Sequence, residues 1–275
     1  MMRFVFAAVL LFAATLSPLA AQEPAMPGVS DAEREALQGS LNRGLTLYQY
    51  DQAAWQTTDT MLEDVPEDRL RTIGGWIVEP VGDGLRVIYW RQDADAFFPV
   101  YSADYSADGV SSRTLHPDNA PALDQAQSAL VKARQIAFPK DVARCSAKPF
   151  NSVVMPTGKG DGSAYVYWLT PQETLSAMPL GGHYRYEVRG GEVVDQRAFS
   201  KSCIDLPTAQ GGADGKTPAA VGIVHILDPV PTEIHVFSAF AGGLPIFVST
   251  IEPKRTWAVE VSGGQPRARL IDPEE

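Results

Sequence analysis

The sequence predicts an α+β protein in which two helices pack on antiparallel β-sheet, arranged as two helix-plus-meander blocks followed by a C-terminal β-meander. Three observations carry that expectation. Ser30-Asp-Ala-Glu33 satisfies the capping-box pattern and opens a run with apolar residues at helical spacing. From Ile73 onward the texture changes to short strand-like runs punctuated by Asp-Gly pairs. The last third is a series of apolar runs separated by Gly242-Gly243 and Gly263-Gly264. With 45% hydrophobic and 20% charged residues the chain can build a real core, which sets disorder aside for most of its length.

Taken in order, Met1-Met-Arg3, the apolar stretch Phe4–Leu16 and the small-residue segment Pro18–Gln22 form the pattern of a secretory signal peptide over residues 1–21. The apolar run falls short of the roughly 20 residues that span a bilayer, so no stable membrane anchor is expected after cleavage. Residues 22–29 read as a flexible tail, and 30–275 as a single α+β unit with subunits at 30–120, 121–205 and 220–275. The expected location is periplasmic or secreted. A net charge of −10 repels phosphate backbones, so nucleic acid is not an expected partner.

The first helix should run to about Leu62, whole or in two pieces, with Leu37, Leu41, Leu45, Tyr48, Trp55 and Leu62 on its inward face. The stripe Tyr48, Asp51, Trp55, Asp59 on the same side has two readings. One is a pocket wall in which carboxylates and an aromatic ring meet a ligand. The other, favoured by the frequency of core aromatics, packs Tyr48 and Trp55 on a sheet with the acids at its edge. Hairpins then follow around Pro80–Gly84 and Ala107–Gly109, and a second helix starts near Pro121 and ends before Pro139. The strand and turn order of 75–115 can be laid beside that of 150–199, either as a duplication or as recurrent turn chemistry.

Cys145 and Cys203 are an even pair that an oxidising compartment would join as a disulfide; with no Cys-x-x-Cys motif, metal or redox pairing is disfavoured. Gly211–Thr217 superficially resembles a phosphate-binding loop, but its spacing is wrong and Pro218 obstructs the following helix, so it reads as a connector.

Chemistry concentrates in Gly222–Phe237. If Val221–Leu227 and Glu233–Phe240 form a hairpin about Val230, then His225, Glu233 and His235 share one face, as a zinc site with an open position or an acid/base pair. A one-residue slip would separate the imidazoles. His183 is a remote candidate for a third ligand. No nucleotide, calcium, zincin or serine-nucleophile motif is present, and no cofactor is expected.

The runs Tyr48-Gln-Tyr-Asp-Gln-Ala-Ala-Trp-Gln-Thr-Thr-Asp59, Gly74-Gly-Trp-Ile-Val78 and His225-Ile-Leu-Asp-Pro-Val-Pro-Thr-Glu-Ile-His-Val-Phe237 resemble segments of uncharacterised exported proteins of proteobacteria. The resemblance implies an exported location and a single-unit organisation, and assigns no activity, cofactor or site. The leading expectation is a non-catalytic binding or envelope-associated module whose partner is another envelope protein or a small ligand. The rival is a metal-dependent or acid/base enzyme centred on His225, Glu233 and His235.

Overall fold

The computed structural model describes residues 26–211 and 216–271; the expected signal peptide and the start of the tail lie outside them. Helix α1 (Asp31–Asp64) runs unbroken for 34 residues from the N-cap Ser30, whose N–H donates to the Glu33 carboxylate at 2.7 Å while its hydroxyl accepts from the Glu33 N–H. The residues just before it are not a loose tail: Val29 is buried and the Gly28 carbonyl accepts from Arg255.

The inward face of α1 is the expected one only in part: Leu37 is buried and Leu41 and Tyr48 pack against the core. It comprises Leu37, Ser40, Gly44, Leu47, Ala54, Thr57 and Met61, while Trp55 and Leu62 are 55% and 56% exposed. Small residues mark the true contact because the neighbouring elements approach closely. A Cβ added at Gly44 would fall 2.4 Å from the Val236 Cβ and 2.8 Å from the Glu233 carbonyl. Gly44, which the sequence presents as a weak point of the helix, is where another helix crosses.

After the short α2 (Glu67–Leu70), strands β1 (Gly75–Val81), β2 (Gly84–Asp93), β3 (Ala96–Ser106) and β4 (Gly109–Leu115) form an antiparallel meander in that order. Gly82, with φ of +53°, sits in the β1–β2 turn where a Cβ would be strained. The Tyr89 hydroxyl joins this sheet to α1, lying 2.9 Å from both the Thr57 and Thr58 hydroxyls.

Helix α3 (Gln125–Ile136) begins at Asp124, whose carboxylate accepts from the Gln127 N–H at 2.8 Å; this cap, rather than Pro121, sets the start. Strands β5 (Asn151–Pro156), β6 (Ala164–Leu169), β7 (Ala177–Pro179), β8 (Tyr184–Arg189), β9 (Glu192–Ala198) and β10 (Asp205–Pro207) follow. They make a second four-stranded antiparallel sheet, β5-β6-β8-β9, with β7 and β10 as a separate ribbon. The two large sheets share one strand order; the helices before them differ almost threefold in length, 34 residues against 12. Cys145 and Cys203 are joined as a disulfide. The bridge packs on Gly181-Gly182, where a Cβ on Gly182 would meet the Cys145 Sγ at 2.6 Å.

The C-terminal part corrects the expected five-stranded meander. Strand β11 (Val221–His225) pairs parallel to β12 (Ile246–Thr250), and β13 (Arg255–Ser262) and β14 (Gln265–Leu270) complete an antiparallel continuation. A parallel pair needs a crossover, supplied by helix α4 (Glu233–Gly242). The run expected as the second arm of a hairpin is this helix. Buried from Glu233 to Ala239, it is enclosed on every side, mostly apolar, and shows no amphipathic period. Thr232 begins it, and Gly243 ends it in the left-handed region at φ +65°. Among the described residues there are four helices and three four-stranded sheets plus a ribbon, so the fold is α+β, mostly β. No helix of the described residues is long and apolar enough to cross a membrane.

Candidate functional site

A cavity of about 570 Å³ opens between α1, α4, β1 and the segment from Leu169 to Pro179. From α1 it receives Tyr48, Asp51 and Trp55, which share a helix face at spacings of three and four. Trp76 of β1 and Phe237 of α4 add further rings, while Leu175 and Met178 face them from the opposite side. Tyr48 is held by stacking on Phe240, with centroids 4.8 Å apart, and meets Phe237 edge-on at 6.5 Å. The buried indole N–H of Trp76 has no acceptor among the described residues.

Asp51 is the chemical centre of this cavity. Its carboxylate has no hydrogen-bond or ion-pair partner among the described residues, and burial pushes its pKa up to about 6. Its charge in turn contributes to holding the Tyr48 phenol above its usual range, after the larger effect of burial. Glu173 is the other carboxylate on the wall, and no Lys, Arg or His among the described residues lines the cavity. Of the predicted stripe, Tyr48, Asp51 and Trp55 come together here, with Trp55 a partly exposed ring on the cavity wall rather than a core residue; Asp59 is exposed and outside it.

The predicted His225, Glu233, His235 cluster divides. The imidazoles of His225 and His235 lie 4.7 Å apart, centroid to centroid. They meet because the end of β11 passes the first turn of α4, not by hairpin pairing. Residues two apart share a strand face but lie on nearly opposite sides of a helix, so Glu233 points away from His235. His225 Nε2 lies 2.8 Å from Asp228 Oδ2, and Arg197 donates to the same oxygen at 2.7 Å. His235 Nδ1 accepts from the Thr232 N–H at 3.0 Å, and burial, followed by the neighbouring His225, pushes its pKa down to about 3. His183 is engaged elsewhere: its Nδ1 accepts from the Thr170 N–H and its Nε2 donates to the Pro179 carbonyl, with burial lowering its pKa to about 4. No group of three or more His, Cys, Asp or Glu side chains is placed to hold a metal ion among the described residues.

Glu233, 1% exposed, is the hub of a buried ion network instead. Arg185 of β8 donates to it at 2.6 Å, Arg43 of α1 at 3.3 Å through two nitrogens, and the Tyr167 hydroxyl of β6 at 3.1 Å. Burial alone would raise its pKa, but the two guanidinium charges outweigh that and hold it low.

Arg43, Arg185 and Tyr167 carried no local signal in the sequence, since their partner is at the far end of the chain. The His225–Asp228 link was legible as an i, i+3 pair. Trp76 and Phe237 stood within singled-out runs but had no assigned role. No known protein family, curated protein or solved structure matches the chain.

Proposed function

We propose that the protein is an exported binding protein of the bacterial periplasm that holds a small ligand in the cavity beside α1 and performs no catalysis. The observation that carries this reading is the cavity itself, aromatic-walled, of ligand-binding size, and centred on a carboxylate that the chain leaves unanswered. Support for export comes from the leader-like Met1–Gln22 and from the Cys145–Cys203 bridge, a linkage that persists in oxidising compartments.

The test is a thermal-shift panel of small ligands on the mature protein, repeated with Ala241→Phe, which fills the cavity. Hits that shift the wild type and lose their effect in the filled variant support the reading; hits indifferent to the filling, or no hits, sink it.

The rival acid/base reading loses Glu233 but retains one observation, the orientation of His225 by Asp228. The adjoining hollow is only about 90 Å³. Under the binding reading, His225→Ala leaves cavity ligands bound with unchanged affinity; a turnover activity abolished by that substitution would favour the rival.

A further inference from the structure

Resting on the reading that this cavity is a ligand site, we propose that its ligand is an organic cation with an apolar body, an amine or quaternary ammonium whose charge sits at Asp51 between the rings of Tyr48 and Trp55. Charge complementarity is the first argument. The carboxylates on the wall are Asp51 and Glu173, and no basic side chain lines it among the described residues. An anion would meet two carboxylates, and a neutral ligand could donate a hydrogen bond to Asp51 but would leave its charge without a counter-charge.

The second argument is how the chain treats its other sequestered carboxylates. Glu233 has Arg43 and Arg185, Glu187 has Lys159 and Arg189, and Asp228 has Arg197 and His225. Asp51 alone of these four has no counter-charge among the described residues. The third argument is the aromatic wall. Trp55 follows Asp51 by one helical turn, Tyr48 precedes it by nearly one, and cations are attracted to the faces of such rings. Trp55 keeps 55% of its surface exposed, an indole presented to a ligand rather than spent on the core. A bare metal ion is disfavoured because a lone carboxylate supplies too few oxygens. The remaining wall, with Leu169, Leu175, Met178 and Ala241, fits an apolar body.

The experiment uses three probes with one apolar body, 4-phenylbutylamine, 4-phenylbutanol and 4-phenylbutyrate, titrated calorimetrically into the mature protein at pH 7.5. The amine is expected to bind at least about tenfold tighter than the alcohol, with the acid weakest, the margin expected of one added ion pair in a desolvated site. Asp51→Asn should erase the preference for amine over alcohol while leaving the alcohol's affinity within about twofold. Glu173→Gln separates the two acids and should preserve most of the preference. Below pH 6 amine affinity should fall by up to about tenfold per pH unit as Asp51 takes up a proton, and alcohol affinity should stay flat. If amine and alcohol bind equally and both are lost in Ala241→Phe, the cavity is a ligand site and the cation assignment fails. If affinity rises in acid, Asp51 acts as a proton donor to a neutral ligand and the assignment also fails. If none of the probes binds and the broader panel gives no shift, both the assignment and the binding reading fall.

Discussion

Glu233 and Asp51 are both carboxylates withdrawn from water, on helices that pack against each other, yet the chain answers one and leaves the other alone. Glu233 is met by two guanidiniums and a phenol and stays ionised; Asp51 meets none and is pushed up to about 6. Desolvation pushes both carboxyls up, although Asp51 keeps part of its surface exposed and Glu233 does not; what holds Glu233 low is the pair of guanidiniums around it. A paired buried charge fixes one element against another. An unpaired one on a cavity wall destabilises the empty protein, and that cost motivates the proposal that a group from outside meets it.

The contrast can be broken most forcefully at Glu233. Glu233→Ala strands Arg43 and Arg185 without their counter-charge and should cost about 3–5 kcal/mol by urea denaturation. A cost under about 1 kcal/mol would show that the network is incidental.

Next in size is the acid limb. His183 and His235 are neutral when folded, with pKa values lowered to about 4 and about 3, and titrate ordinarily when unfolded. Their contribution is therefore intact above pH 6.5 and is lost as pH falls toward 4, by up to about 1.4 kcal/mol per pH unit for each histidine. His235→Asn should flatten that limb in a series of melts; an unchanged slope would place the proton uptake elsewhere.

Asp51 runs the other way. Its folded pKa is raised, so it favours the fold below about pH 4 and that contribution is lost as pH rises through about 6. Asp51→Asn should stabilise the protein at pH 7.5 by about 1–2 kcal/mol, discounted for water reaching the cavity, with no gain near pH 4. A destabilised variant would mean that Asp51 has a structural partner and that the comparison is false.

Smallest is Trp55→Ala, expected to change stability by no more than about 0.5 kcal/mol because the ring is largely solvated, while weakening the phenylbutyl probes at least about tenfold. A Tm drop of many degrees would return Trp55 to the core.

Local chemistry was legible in the sequence wherever it was decided locally. The Ser30–Glu33 box, the turn before Gly84 and the general run of β1 to β6 follow from caps, turns and alternation. The side of α1 that faces inward is legible only in part, because the small residues Ser40, Gly44, Ala54 and Thr57 share the contact with Leu37, Leu47, Tyr50 and Met61, and apolar spacing alone does not mark them. Helix α4 was missed for a related reason: fully enclosed, it lacks the polar face that announces a helix, and its β-branched residues imitate a strand. Thr232 before it, Glu233 in its first turn and Gly243 after it were the available signals. Read as a strand, this segment places Glu233 beside His235; as a helix, it sets them on nearly opposite sides. Eight of the twenty residues lining the cavity lie in Leu169–Pro179, a stretch with no motif of its own.

The Glu233 network has a consequence in time as well as in space. Arg43 lies 190 residues from Glu233 along the chain, Tyr167 66 and Arg185 48. As the chain emerges from its N-terminus, α1 comes early and its groove at Gly44 has nothing to fill it until α4 appears. Contacts of such long range make folding slow, because loop closure must precede their reward. A nascent chain ending before Pro231 therefore carries Asp51 and Trp55 but no Phe237 wall to face them, so the cavity is incomplete until α4 has been made.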